Sequence, residues 1–194
     1  MLNLDEKIQG LKHIHYEAEM ALLMAKALHV FWTRKMNGEL GWISEPAIDL
    51  AVRGGLLEGL CTHTRNLILL LTRTDNRDIN SSDYNYNSIE LSSADNAFLD
   101  RLHQRVSHIT KKRLISIKDW DFNNEFKAWF KKISDFFSYL LGNHQDLFTL
   151  LETDNKVGLK ANDFKSLGNA LASDNPLESD YKPRHRGRQT IMFT

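Results

Sequence analysis

The sequence is poor in cysteine, in proline and in long apolar runs, and these scarcities exclude several classes of protein. A single cysteine, Cys61, excludes an intramolecular disulfide framework and a zinc-ribbon site, and it fits a reducing compartment. The apolar runs, such as residues 67–71, are far shorter than the about 20 residues that a membrane-spanning helix needs. The start of the chain carries acids and no apolar segment, so it predicts neither a secretory signal nor a transit peptide. We therefore expect a cytoplasmic protein with no contact to a membrane.

Neither sign of charge is in excess. The 194 residues include 25 Lys and Arg and 25 Asp and Glu, so the formal net charge is zero. A chain with this balance does not coat nucleic acid through a general attraction, and any contact with a polyanion must come from a local basic patch. The composition, with 42% hydrophobic and 26% charged residues, is that of one ordinary globular domain.

Apolar residues recur at steps of three and four along most of the chain, which predicts α-helices. A first long helix starts at Leu4 and ends near residue 37. A second starts at Pro46, with Ser44 as its N-cap, and runs to about Thr72. Its predicted buried stripe consists of Ala47, Leu50, Ala51, Gly54, Leu57, Cys61, Ile68 and Leu71.

The second half of the chain predicts further helices after a long polar loop at 73–91. A third helix is capped by Ser92 or Ser93, and a fourth is capped by Asp121 or Asn123 and ends at Gly142. The fourth has an aromatic core face formed by Phe126, Trp129, Phe130, Ile133, Phe137, Leu140 and Leu141. Two short helices follow, the last with Asn162 as cap. These elements predict an all-α bundle of four to six helices over residues 1–172 and a flexible basic tail over 173–194.

The stretch "RLHQRVSHITKKR", residues 101–113, holds seven basic or imidazole side chains in thirteen positions. Arg101, Arg105, His108 and Lys112 fall at steps of four, three and four, so they form a stripe beside the apolar face of the third helix. Arg101 and His108 lie two turns apart on that stripe. Such a pair suits phosphate binding by the guanidinium and proton transfer by the imidazole. The alternative is a solvated helix face.

A second polar group interrupts the apolar second helix. Glu58 and Arg65 are seven residues apart on its predicted buried stripe, where a charge is costly unless it is paired. His63 and Asn66 border the same region. One interpretation is a structural ion pair that holds the bundle together, and the other is a functional site, where buried polar groups of this density commonly occur.

These residues resemble a little-studied family of small bacterial helical proteins. Its pattern is Leu-Leu-Glu, His-x-Arg-Asn and Val-(small)-His-(aliphatic)-Thr-x-x-Arg, and the similarity covers about residues 47–140. The matching positions here are Glu58, His63, Arg65, Asn66, His108 and Arg113. The resemblance implies a helical shape and brings no named activity.

A broader resemblance is to the HEPN superfamily, up-down helical bundles of prokaryotic defence and toxin systems. Many of its members are metal-independent ribonucleases that use an Arg and a His separated by four to six residues, and Arg101 and His108 match that spacing. The polar residue that usually follows the Arg is replaced by Leu102. The resemblance implies a homodimer that acts on RNA without a cofactor.

In that interpretation the RNA supplies its own nucleophile, the 2′-hydroxyl, and the protein supplies proton transfer and cations. The catalytic residues would be His108, as acid or base, with Arg101 and Arg65 on the phosphate. Glu58 would orient Arg65. The remaining substrate-binding candidates are His63, Asn66, Arg105 and Arg113.

Two other hypotheses compete with the ribonuclease. A di-iron site needs Glu-x-x-His pairs, which the sequence lacks, although His13 with Glu17 has a one-turn spacing that suits metal ligands. We therefore expect no metal. The second alternative is a non-catalytic helical module, such as an antitoxin-like protein, a scaffold or a regulator, which docks a protein partner.

Overall fold

The computed structural model describes residues 2–41, 45–73, 78–107, 122–153 and 158–183, with the backbone alone at 105–107 and 122–123. These residues form six α-helices and no strand, which confirms the predicted all-α class. The helices are α1 (Leu4–Met36), α2 (Pro46–Thr72), α3 (Ser93–Ser107), α4 (Phe122–Asn143), α5 (Gln145–Thr153) and α6 (Ala161–Ala172). Two 3-10 turns, Ser81–Tyr84 and Pro176–Glu178, lie between and after them.

The first helix is fixed at both ends by local hydrogen bonds. The Asn3 side chain accepts from the Glu6 N–H (2.9 Å) and the Glu6 carboxylate accepts from the Asn3 N–H (2.8 Å), which is a reciprocal capping box. Gly38, at φ +72°, follows the last turn in the left-handed conformation that glycine adopts without strain. The predicted start of α2 at Pro46 is confirmed, whereas its predicted cap Ser44 lies outside the described residues.

The core is built around the aromatic face of α4. Of the predicted face, Phe126, Trp129, Phe130, Ile133, Phe137 and Leu140 are buried, and Leu141 is partly buried. Phe164 of α6 is wholly buried and joins three elements. Its ring lies 5.2 Å from that of Phe137 on α4, 5.0 Å from that of Phe148 on α5 and 4.9 Å from that of His15 on α1, all centroid to centroid and edge-on. Edge-on contact is the favoured geometry for aromatic rings in a close-packed core.

The segment predicted as a plain polar loop is anchored to the core by Tyr84. Its hydroxyl donates to the Lys7 carbonyl (2.9 Å), and its own carbonyl lies 2.6 Å from Nε2 of His144. Burial is the main cause that raises the pKa of Tyr84, so this hydroxyl stays protonated as a donor. The 73–91 segment is thus ordered around the turn Ser81–Tyr84, while residues 74–77 lie outside the described residues.

Of the predicted helix caps, one is confirmed and one is wrong. Ser92 caps α3, because its hydroxyl accepts from the Asp95 N–H (3.1 Å). For α4, which begins at Phe122, the predicted cap was Asp121 or Asn123; Asn123 lies inside the helix and Asp121 lies outside the described residues. Asn162 lies inside the first turn of α6, where Asp163 accepts from the Lys160 N–H (2.7 Å). Polar residues at neighbouring positions compete for the cap, and the backbone decides between them.

The stretch after α6 packs on α1. The Tyr181 hydroxyl donates to Oε1 of Glu19 (2.7 Å), a carboxylate that is itself buried. The Lys26 ammonium donates to the Ser179 carbonyl, and Pro176 is buried. Residues 176–181, which the sequence places in the tail, therefore pack against α1, and residues 184–194 lie outside the described residues.

The helices α1 and α2 form an antiparallel hairpin that extends beyond the core. The main cluster of packed core residues ends at Ala25 on α1 and at Leu60 on α2, although Leu28 and Phe31 of α1 are buried as well. Beyond these points lies the hairpin arm, which we define as the described residues 28–41 and 45–59. The predicted buried stripe of α2 is wrong within this arm, because Ala47, Leu50 and Ala51 are exposed.

Candidate functional site

Three of the predicted site residues meet on the packed half of α2. His63, Arg65 and Asn66 lie within about one turn of this helix. The partner that sequence reasoning missed is Glu17 of α1, which approaches His63 and Asn66 across the helix pair. We call these four residues, Glu17, His63, Arg65 and Asn66, the polar cluster.

The centre of the polar cluster is a carboxylate that accepts two hydrogen bonds. Oε2 of Glu17 lies 2.8 Å from Nδ1 of His63 and 3.1 Å from Nδ2 of Asn66. The His63 and Glu17 side chains are 15% and 25% exposed, so water screens the pair only in part. An ionised carboxylate can only accept, so Nδ1 of His63 is the donor whenever Glu17 carries its charge. In the neutral imidazole the lone pair is then on Nε2, as in a general base oriented by a carboxylate.

Asn66 connects this pair to a guanidinium. Its Oδ1 accepts from Nη2 of Arg65 (3.3 Å), while its Nδ2 donates to Glu17, so both ends of the amide are used. Nε of Arg65 is buried and has no hydrogen-bond partner among the described residues. The amide of Asn66 therefore links the Arg65 guanidinium to the carboxylate that His63 also contacts.

His103 of α3 lies on the other side of Arg65. Burial is the main cause that lowers the pKa of His103, and the positive charges of Arg65 and Arg73 lower it further, against an opposing effect of Asp100. The imidazole is therefore held neutral in a basic environment. Spacing within the sequence does not place His103 near these cations, because contacts between helices depend on the register of the helices.

Arg101 is engaged in an ion pair between helices. Its guanidinium donates to the Glu125 carboxylate of α4 and stacks over the Phe98 ring at 5.8 Å. The two charged side chains are each about a third exposed, 31% and 30%. The predicted pairing of Arg101 with His108 falls partly outside the described residues, because His108, Arg113 and the side chain of Arg105 lie beyond them.

Glu58 lies about two turns before Arg65 on α2 and is half-buried. Its carbonyl accepts from the Thr62 hydroxyl (2.8 Å). The predicted role of Glu58 in orienting Arg65 stays a prediction. One signal could have identified Glu17, namely its position beside the buried residue Ala18 on α1. A charge at such a position needs a partner from the neighbouring helix.

Within the part of the chain that the structure describes, three or more His, Cys, Asp and Glu side chains do not converge in a way that would hold a metal ion. The described helices likewise include none with the length and apolar character of a bilayer-spanning segment. The polar cluster is thus a site of hydrogen-bonded acid, base and cation, built on two helices of the bundle.

The chain was compared with known protein families, curated proteins and solved structures. No protein-family model, no curated protein and no solved structure matches the chain. An inference about function therefore depends on the arrangement of the side chains.

Proposed function

We propose that this chain is an HEPN-like bundle that binds RNA and cleaves it without a metal ion. The observation that carries the proposal is the 2.8 Å contact between Glu17 and Nδ1 of His63, with Arg65 linked to the same carboxylate through Asn66. Cleavage of RNA by its own 2′-hydroxyl needs a base, an acid and positive charge near the phosphate, and no cofactor. The polar cluster supplies the base and the charge.

The proposed reaction is a transesterification. Nε2 of His63 accepts the proton of the 2′-hydroxyl, and the 2′ oxygen attacks the adjacent phosphorus. The bond from phosphorus to the 5′ oxygen breaks, and that oxygen takes a proton from water or from His108, the acid that the HEPN resemblance implies. The products are a 2′,3′-cyclic phosphate and a 5′-hydroxyl end. Arg65 stabilises the negative charge that develops on the phosphate oxygens.

Glu17 has a positioning role in this mechanism. By accepting from Nδ1 it fixes the tautomer that leaves Nε2 basic, and it stabilises the imidazolium that forms. Replacing it by Gln keeps the shape and removes the charge. If Glu17 had a purely structural role, Glu17→Gln would lower the free energy of unfolding without changing the pH profile of the reaction.

The test is cleavage of labelled single-stranded RNA by the purified chain in EDTA. We expect cutting to be lost in His63→Gln and reduced about 10²-fold to 10⁴-fold in Glu17→Gln. His13→Gln is the matched control, because His13 is an exposed histidine of α1 outside the cluster, and it should cut normally. Circular dichroism establishes that each variant is folded.

The assay also separates the predicted residues from the observed cluster. Loss of cutting in His108→Ala with full activity in His63→Gln would move the catalytic role to His108 and contradict the assignment to His63. Equal cutting by all variants would identify a contaminating nuclease. No cutting of any RNA tested would refute the ribonuclease proposal.

The alternative function is a non-catalytic module that docks a protein partner. One observation favours it, namely the exposed apolar side chains of the hairpin arm, among them Met36 at 81% and Leu50 at 63%. In this case the polar cluster is a structural link between α1 and α2. His63→Gln would then lower stability and leave partner binding unchanged.

A further inference from the structure

The turn that ends α1 contains an asparagine that is directly followed by a glycine. Asn37 is the C-cap of α1, and Gly38 follows it at φ +72°. The pair Asn-Gly occurs once in the sequence. The backbone nitrogen that follows an asparagine can attack the side-chain amide carbon of that asparagine, and a side chain on the following residue hinders the approach. Gly38 removes this hindrance, because it has no Cβ.

The surroundings of the pair leave room for such an attack. Asn37 and Gly38 are both exposed, and a Cβ added at Gly38 would meet nothing within 4 Å. Asn80, which precedes the small residue Ser81, is in a different position. It is buried, its Oδ1 accepts from the Ser82 N–H (3.1 Å), and its Nδ2 donates to a backbone carbonyl (3.3 Å). The structure therefore separates one accessible asparagine from one that is held in place.

Two backbone hydrogen bonds oppose the attack at Asn37. The Gly38 N–H donates to the Lys35 carbonyl (3.1 Å), and the Glu39 N–H donates to the Arg34 carbonyl (2.9 Å), which together form a Schellman motif. The Gly38 nitrogen can react only when its own bond opens. The ends of helices open at little cost in free energy, so this state is visited often. The fold therefore slows the reaction and does not prevent it.

The amide of Asn37 also contacts a carboxylate. Its Nδ2 donates to Oε1 of Glu39 (3.1 Å), so the two side chains meet across Gly38. Loss of the amide replaces this donor by an anion, and two negative charges then face each other at the C-terminal end of α1. The dipole of the helix also disfavours an anion at this end. The change therefore weakens the turn that closes α1.

We propose that Asn37 is a site of spontaneous deamidation in the folded chain. The Gly38 nitrogen loses its proton and forms a bond to Cγ of Asn37, and Nδ2 leaves as ammonia. The product is a five-membered cyclic imide. Water opens this ring at either carbonyl, which gives aspartate or its isomer, isoaspartate. The reaction needs no reactant other than water, and the inference does not depend on the ribonuclease proposal.

Mass spectrometry of the full chain, kept at physiological temperature in mildly alkaline buffer, tests the proposal. Trypsin cuts after Lys35 and Arg53, and the fragment between these cuts contains Asn37 as its only asparagine and no glutamine. We expect this fragment to gain the mass that exchange of NH₂ for OH adds, and we expect an isoaspartate-specific methyltransferase to label it. Gly38→Ala should react several-fold more slowly, because its methyl group hinders the attack.

Asn143 is the matched control within the same molecule. It is also exposed and ends a helix, α4, but it precedes His144 and should stay intact over the same time. A free peptide of residues 35–41, which lacks the hydrogen bonds of the helix, gives the unprotected rate. It should react faster than the folded chain.

Three results would overturn the proposal. The first is an intact Asn37 in the folded chain after the free peptide has reacted completely, since the hydrogen bonds of the turn would then prevent the attack. The second is an equal rate at Asn37 and Asn143, since exposure alone would then set the rate. The third is an unchanged rate in Gly38→Ala, shown by circular dichroism to be folded, which would contradict the role of the missing side chain.

Discussion

The contact between Gly10 and Tyr84 gives a prediction about stability that can be worked through from the structure. Gly10 is buried on α1, and a Cβ built there would overlap the hydroxyl oxygen of Tyr84 and approach Cδ1 of Ile79 at 3.2 Å. Since the hydroxyl donates to the Lys7 carbonyl at 2.9 Å, it cannot move without losing that bond. Gly10→Ala therefore displaces Tyr84 and the turn that carries it.

The expected magnitude follows from three opposing contributions. Alanine in a helix interior is favoured over glycine by about 1 kcal/mol. Overpacking costs about 1–3 kcal/mol, and a buried hydroxyl that loses its partner costs about 1–3 kcal/mol. We expect Gly10→Ala to lower the free energy of unfolding by about 1–5 kcal/mol, measured by urea denaturation of the purified chain.

Making the same substitution in a Tyr84→Phe variant tests the steric argument specifically. Tyr84→Phe removes the oxygen that the new methyl group would overlap, so Gly10→Ala should cost much less in Tyr84→Phe than in the wild type. The coupling between the two substitutions should exceed the ~0.5 kcal/mol expected of independent sites. An equal loss of stability in both backgrounds would refute the steric argument, because the hydroxyl would then play no part in it.

Three further predictions concern stability. Phe164→Ala should lower the free energy of unfolding by about 3–5 kcal/mol in urea, because its ring fills the contact between three helices. Ser92→Ala should lower the free energy of unfolding by about 0.5–2 kcal/mol, measured by thermal unfolding, because the α3 cap is lost. Ser82→Ala is the comparison, since it removes a serine hydroxyl outside this cap. The folded-state pKa of His103 lies below its unfolded value, so the unfolded chain binds the extra proton and stability should fall as the pH drops below about 6.5. Urea denaturation from pH 7.5 to 5.0 should show a smaller fall in His103→Gln, and an unchanged fall would exclude His103 as its source.

The helices could be predicted from the sequence because the apolar period is a local property. The bounds of α1 and α2 and the aromatic face of α4 follow from spacing within each segment. Burial along a whole helix does not follow in this way. The apolar period of α2 includes Leu50, yet the packed core on this helix begins only at Leu60. The position at which the core begins is set by the other helices of the bundle.

Only part of the candidate site could be predicted from the sequence, for a related reason. His63, Arg65 and Asn66 were recognisable as polar residues in an apolar helix. Glu17 was considered with His13, its neighbour at one turn, whereas its hydrogen bonds go to α2. Contacts between helices depend on their register, and one chain without aligned relatives does not reveal that register. The basic stretch 101–113 stays a prediction, since its second half lies outside the described residues.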